Sequence, residues 1–338
     1  METYTNVFQN IISSEHLFTA WDAFKRGKRA RPDVQAFERD LEENLFQLHR
    51  ELAAKTYRHG AYADFYIRDP KQRHIHKAAV RDRVLHHAIF SALNPIFEPT
   101  FVPTSFSCRM GYGTHRGVKA LAAALRKVSK NGTARCFALK CDVRRFFEGV
   151  DHGVLRRILE RRIRDTDARW LLADVIESFT APSSTSSEGR GIPIGNLTSQ
   201  LFANIYLNDF DQFVKHQLRI PYYFRYTDDF VIVDGSGERF GAWLDAIRQF
   251  LRVRLKLELH PGKITVRKYR RGVDFLGYVN LPHHRVLRTK TKRRIMHKVG
   301  RGVPHASLQS YLGVLSHANS FRLSRKLKNL WWLSRPET

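Results

Sequence analysis

Tyr222-Tyr223-Phe224-Arg225-Tyr226-Thr227-Asp228-Asp229-Phe230-Val231-Ile232-Val233-Asp234 is the stretch that decides how this chain is read. Two runs rich in aromatic and β-branched residues, Tyr222 to Thr227 and Phe230 to Asp234, flank a pair of acids. That is the pattern of two strands joined by a tight turn. Paired like charges between apolar strands are costly unless cations compensate, so folding alone gives little reason for them. A further short apolar strand, Cys136 to Val143, carries one acid, Asp142, placed 86 residues before Asp228. A lone acid on a strand is weak evidence, and ordinary turn acids are the alternative for Asp228-Asp229. Together the three offer the hard oxygen donors that two divalent cations, roughly 3.5–4 Å apart, require for phosphoryl transfer.

Moving outward, Thr198 is placed to cap a helix with an apolar face of Leu201, Phe202, Ile205, Phe210, Phe213 and Val214, stopped by Pro221. A helix over 239–256 precedes a Pro261-Gly262 turn. Toward the start, Phe37, Leu41, Leu45, Leu48 and Leu52 recur every three to four residues, which predicts one amphipathic helix over 36–53. Ala61 to Arg68 is extended, Asp69-Pro70 turns, and His74-Ile75-His76 returns as a second strand, with Lys71 and Arg73 near the tip. Helices are expected over 82–97, 115–129 and 151–179, and a Ser/Gly loop over 181–191.

The 338 residues are 43% hydrophobic, enough for a packed core, and carry a net charge of +26. Lys and Arg in such excess call for a polyanion, with nucleic acid favoured and an anionic membrane or a ribosomal role as the alternatives. Lys263 to Lys298 holds twelve Lys or Arg against one acid, Asp274. Val273, Phe275, Leu276 and Tyr278 interrupt it, so it belongs to a folded surface rather than a solvated tail. Cys108, Cys136 and Cys141 have no metal-type spacing and read as buried thiols in a reducing compartment. The opening METYTNVFQN lacks the pattern of a signal peptide, and no apolar run reaches the ~18 residues of a membrane span. The expectation is a soluble, intracellular chain.

The order of segments resembles the block pattern of reverse transcriptases from near residue 60 to near 280. Lys140-Cys141-Asp142-Val143-Arg144-Arg145-Phe146-Phe147 with Asp151-His152 looks like the first catalytic block, and Tyr226-Thr227-Asp228-Asp229 like the second. Leu257-Glu258-Leu259-His260-Pro261-Gly262-Lys263 looks like the block after it, and Val273-Asp274-Phe275-Leu276-Gly277-Tyr278 like the primer-grip hairpin. Ser107 to His115 resembles the Arg-Gly-rich block of bacterial and intron-type enzymes. The resemblance implies an α+β right-hand polymerase fold with fingers, a palm (an antiparallel sheet with helices on one face) and a small helical thumb. Residues 1–57 would be an N-terminal helical extension and 58–135 fingers, with 151–190 shared between fingers and palm helices. Residues 136–280 would be palm and 281–338 a basic thumb.

It also implies roles. Asp142, Asp228 and Asp229, with the main-chain carbonyl of Val143, would bind two Mg²⁺, for which Mn²⁺ can substitute. Lys71, Arg73, Arg81 and Arg83 would hold the triphosphate of a dNTP, alongside Gly195 and Gln200; Arg83 has a second reading as a structural ion-pair residue. Phe147 would lie under the incoming sugar and exclude a 2′-hydroxyl; core packing is its other reading. Lys263 would protonate the pyrophosphate leaving group or simply bind phosphate. Arg109, Ile194 and Ser199 would face the template. Phe275 and Gly277 of the primer grip, with Arg288, Lys290, Lys292, Arg293 and Arg294 of the thumb, would hold the RNA/DNA hybrid through its backbone.

Gly191-Ile192-Pro193-Ile194-Gly195-Asn196-Leu197-Thr198-Ser199-Gln200 departs from the Gln-Gly form of most reverse transcriptases. The Ile194-Gly195 and Ser199-Gln200 variant, with Ser310 to Asn319, is similar to enzymes of diversity-generating retroelements, which miscopy template adenines. Isoleucine has neither donor nor acceptor, and losing one hydrogen bond near the forming pair is worth on the order of 1 kcal/mol. Phage-defence reverse transcriptases share the block, so both lineages stand. The resemblance implies a dedicated noncoding template RNA, a basic accessory protein, no membrane, and a cytoplasmic, bacterial or phage-encoded enzyme. Rivals of other classes are a non-catalytic nucleic-acid-binding module with a relict palm, a two-metal nuclease and an RNA-dependent RNA polymerase.

Overall fold

The computed structural model describes residues 2–68, 72–182 and 189–334. The fold is mixed α+β, with antiparallel sheets flanked by helices. The chain divides into two compact units, one of residues 1–102, 143–213 and 247–258, the other of 103–142, 214–246 and 259–338.

The first unit is mainly helical, with one hairpin. Strands β1 (Ala63–Ile67) and β2 (Arg73–Lys77) pair antiparallel, Asp64 opposite His76 and Tyr66 opposite His74. The helix Val80–Phe97 packs against Ser14–Lys25 and Leu197–Gln212, burying Leu85, Ile89, Leu93 and Phe97 with Leu17, Trp21, Phe24, Leu201 and Ile205. Single carboxylates organise several helix starts. Asp165 accepts from Asp167 N and Ala168 N at 3.0 Å through one oxygen and from Val7 N and Phe8 N at 2.8 Å through the other. It thereby satisfies the orphan donors of two helix N-termini at once.

Three element expectations change here. The helix expected over 36–53 is two, Pro32–Arg39 and Leu41–Ala53, broken at Asp40. Asn44 Nδ2 donates to Phe37 O at 3.0 Å, satisfying a carbonyl at the break, and Leu45, Leu48 and Leu52 keep their buried face. The stretch 151–179 likewise splits into His152–Glu160 and Thr166–Glu177, because Asp165 starts a new helix. Thr198 is not a cap. Leu197–Gln212 begins one residue before it, and its flanking Asn196 instead donates from Nδ2 to His76 O at 3.0 Å.

The second unit is built on a four-stranded antiparallel sheet of order β4-β5-β3-β6: β3 (Phe137–Asp142), β4 (Tyr223–Tyr226), β5 (Asp229–Asp234) and β6 (Thr265–Lys268). Central β5 is buried from Phe230 to Asp234, as its unbroken apolar run requires. Edge strand β6 is exposed throughout, and its Arg267 and Lys268 discourage edge-to-edge pairing. A second sheet follows, β7 (Val273–Phe275), β8 (Tyr278–Asn280) and β9 (Arg285–Leu287). One core joins these to the helices Thr114–Val128, Thr289–Gly300, His305–Leu315 and Phe321–Leu333 through Leu121, Val231, Tyr269, Phe275, Val299, Leu315 and Trp331. No helix among the described residues is long and apolar enough to cross a membrane. Cys136 and Cys141 are buried, as expected, but Cys108 is exposed, in a loop where its backbone is left-handed (φ 53°).

Candidate active site

The second unit brings the three acids onto adjacent strands. Asp142 ends β3 and lies directly opposite Asp229, the first residue of β5, so the turn itself is Thr227-Asp228. Thr227 takes φ 53°, a conformation a β-branched residue adopts only at a cost of about 1–3 kcal/mol. Two contacts hold it there: a 2.7 Å hydrogen bond between its hydroxyl and Ser107 Oγ, and donation from Arg225 Nη1 to its carbonyl at 3.0 Å. Arg225, 1% exposed, is itself anchored by its main chain to Thr104 and Phe106.

Two lysines meet these carboxylates. Lys263 Nζ donates to Asp142 Oδ1 at 2.7 Å, and Lys140 Nζ lies 3.0 Å from Asp229 Oδ2. Lys263 arrives because His260 N donates to Asp142 O at 2.8 Å and the short turn Pro261–Lys263 follows. Burial raises the Asp229 carboxyl to about 6; Asp142 and Asp228 push the same way, and Lys140 opposes them. Asp229 Oδ1 is buried without a hydrogen-bond partner. An orphaned carboxylate oxygen among all-oxygen donors fits Mg²⁺. Lys140 was given no role by the sequence, although alternation along β3 puts it on the same face as Asp142.

Arg109 in the same unit donates to Ser105 O at 2.8 Å and covers the Tyr112 ring at 3.9 Å, while Arg116 covers that ring at 4.0 Å. Tyr112 and Arg116 were missed; one residue after Gly111, Tyr112 gave no signal beyond its place in the Arg-Gly-rich run. Phe275 is fully buried in the core, and Leu276-Gly277 form the turn, both with positive φ. Arg288 is ion-paired with Asp274. Lys290, Lys292 and Arg293 are exposed on the helix Thr289–Gly300, and Arg294 is half-buried.

The remaining candidates belong to the first unit. Val143 is buried, and Phe147 is half-buried beside the ring of Phe146. Ile194 is half-buried, Gly195 and Gln200 exposed, and Ser199 buried. Gly195 has φ 121°, and a Cβ there would stand 2.9 Å from Ile75 Cγ2, so both backbone and space favour glycine. Arg73 is exposed; Lys71 lies outside the described residues. Arg81 donates to Glu51 at 2.7 Å and to Arg58 O at 2.8 Å, and Arg83 to Asp33 at 2.5 Å. Both guanidiniums are thus ion-paired. The first unit also contains a cluster of acidic and histidine residues able to coordinate a metal ion, Asp64, His74 and His76.

A family model described as "Reverse transcriptase (RNA-dependent DNA polymerase)" matches residues 68–280. Among curated proteins, Protein YkfC of Escherichia coli is 27% identical over 253 residues, covering 63% of each chain. The group II intron-encoded protein LtrA of Lactococcus lactis is 23% identical over 350 residues, covering 82% of this chain and 57% of its own length. Nuclear intron maturase 4 of Arabidopsis thaliana is 28% identical over 145 residues, 40% of this chain. The chain thus spans less than two thirds of these relatives' length.

Proposed function

The chain belongs to the reverse transcriptase family, with a relationship to group II intron maturases, and from that premise we propose that it is an RNA-directed DNA polymerase copying a structured RNA into cDNA. The observation that carries the reading is the strand register that sets Asp142 beside Asp229, with Asp228 in the adjoining turn and a buried Asp229 oxygen left without a partner.

In this reading Asp142, Asp228 and Asp229, with the main-chain carbonyl of Val143, would hold two Mg²⁺. When bound, these ions supply activation of the primer 3′-hydroxyl and charge neutralisation on the triphosphate. The chain's own groups do the rest. Lys140 and Lys263 keep the carboxylates oriented through the 3.0 Å and 2.7 Å contacts. Lys263 carries a proton that it can give to the departing pyrophosphate. Phe147 selects deoxynucleotides. Residues 58–135 act as fingers, 136–280 as palm and 281–338 as thumb, with exposed Lys290, Lys292 and Arg293 on phosphates. Partners are dNTPs, a noncoding template RNA with its RNA/DNA hybrid, and an accessory protein.

The test is template-primed incorporation by the purified chain with Mg²⁺ or Mn²⁺, with dNTPs and rNTPs in competition. Incorporation of dNTPs, reduced about a thousandfold or more in the Asp228→Ala/Asp229→Ala variant, is expected. An inactive wild-type chain that still binds RNA would support a binding module instead, and preference for rNTPs an RNA-dependent RNA polymerase.

Ile194-Gly195 and Ser199-Gln200 favour the diversity-generating lineage, with error-prone copying of adenines for mutagenic retrohoming. Ile194→Gln then lowers misincorporation opposite template adenine up to about tenfold. An unchanged error spectrum in primer extension, with a copurifying RNA unrelated to any variable gene region, would move the assignment to a phage-defence enzyme.

A further inference from the structure

The hairpin of the first unit presents chemistry that the polymerase reading does not use. In a strand, residues two apart share a face, and direct cross-strand partners stand side by side. His74 and His76 therefore line one face of β2, with Asp64 opposite His76 and Tyr66 opposite His74 on β1. Asp64, His74 and His76 each offer a ligand atom, and these atoms all lie within 4.8 Å of one another. His76 Nδ1 stands 2.6 Å from Asp64 Oδ1, and His74 Nε2 stands 3.5 Å from Asp64 Oδ2.

The rings are held in place from outside the cluster. Tyr66 stacks on His74 with centroids 4.5 Å apart and planes at 8°, and Phe179 packs on His76 at 4.5 Å. His76 is also tied by its main chain to the loop that carries Ile194 and Gly195. Its N–H donates to Ile194 O, and its carbonyl accepts from Asn196 Nδ2, both at 3.0 Å. A side chain at Gly195 would strike Ile75 of the same strand. The orientation of metal-binding imidazoles by neighbouring groups is what an ordered site requires.

We propose that Asp64, His74 and His76 form a binding site for a single borderline divalent transition ion, Zn²⁺ foremost, that clamps β1 to β2 and so braces the 191–196 loop. Two imidazoles and one carboxylate suit Zn²⁺ and leave a fourth position for water, whereas Mg²⁺ takes oxygen ligands and does not compete effectively. The site is separate from the Asp142, Asp228 and Asp229 acids in ligand chemistry and in the unit that holds it, and it does not depend on the chain being a polymerase.

The test is titration of the tag-free full chain with Co²⁺, and with Zn²⁺ in displacement, under millimolar Mg²⁺. One Co²⁺ per chain is expected, with the intense visible absorption of a four-coordinate site, displaced by Zn²⁺ and retained in Asp142→Asn/Asp228→Asn/Asp229→Asn. His74→Ala and Asp64→Ala each remove a ligand. Each weakens binding by more than the ~10–100-fold that loss of an outer-shell partner costs. Asp64 is exposed and His74 half-buried, and an unchanged metal-free thermal midpoint verifies that the variants fold. Zn²⁺ is also expected to slow amide exchange in 63–67 and 73–77 and in the 191–196 loop of wild type alone. Stoichiometric binding that survives both ligand substitutions, or the absence of saturable Co²⁺ binding to the wild-type chain, would overturn the proposal. If Asp64 and His76 only share a hydrogen bond, that absence is the result.

Discussion

Asp229 and Thr227 show how much of the site is settled residue by residue. Asp229 is held near a pKa of 6 by burial, reinforced by Asp142 and Asp228, and Thr227 is kept at positive φ by Ser107 and Arg225. Strain and unfavourable charge are concentrated within three consecutive residues of one turn, as expected where a site rather than stability sets the sequence. Lys263 separates its two readings experimentally. Lys263→Ala should lower kcat about 100-fold if it is a general acid, and Lys263→Arg should restore little of it, because a guanidinium does not give up its proton. Full rescue by Arg, with the loss in Lys263→Ala falling on KM, would make it a phosphate-binding residue. The acids were legible in sequence because like charges among apolar residues are conspicuous. Arg81 and Arg83 are triphosphate candidates in sequence, Arg83 with an ion-pair reading beside it, but nothing local to them reveals Glu51 or Asp33, which the fold brings up from 30 and 50 residues away.

At the scale of elements, the helix Val80–Phe97 carries two histidines whose ionisation is penalised. Burial holds the His86 imidazole well below its usual range, and burial, with Lys28 and Arg83 nearby, lowers His87 from 6.5 to about 4. Between these values the unfolded chain binds more protons than the folded one. The stability from neutral His87 is therefore complete above about pH 6.5 and lost as pH falls toward 4. Because the ring is partly exposed, the loss is about 1–3 kcal/mol. Urea unfolding at neutral pH and near pH 4.5 should show it, and His87→Gln should flatten the dependence by that amount; an unaltered slope would contradict it. Several elements were legible from residue pattern, but the helices Val7–Ile12 and Ser14–Lys25 and the strands β6 and β9 were not. The breaks at Asp40 and Asp165 were not, because each depends on a side chain or carbonyl recruited from another turn.

For the whole molecule, a net charge of +26 with exposed Lys290, Lys292 and Arg293 on one helix predicts that the proposed grip on an RNA/DNA hybrid is steeply salt-dependent. Replacing those three by Ala should reduce the slope of log Kd against log salt by about two to three, with little change in sequence preference. A slope unchanged within error would remove this helix from the phosphate-contacting surface. The core of the second unit draws on the sheet, the β7–β9 hairpins and the C-terminal helices together, and Phe275 of the expected primer-grip turn packs inside it.

The sequence by itself determined the strands that carry the three acids, the paired acids, the basic stretch and the order of blocks, because each is written in neighbouring residues or in composition. The tertiary structure decided which residues meet. Antiparallel register sets Asp142 against Asp229 and Asp64 against His76, and a slip of one residue would turn every one of these side chains to the opposite face. It also supplied Lys140 to Asp229 and chose Asn196, not Thr198, as the residue flanking its helix. The turn that opened the reading was legible; the lysines that surround its charge come from residues 140 and 263, and only pairing between distant strands brings them there.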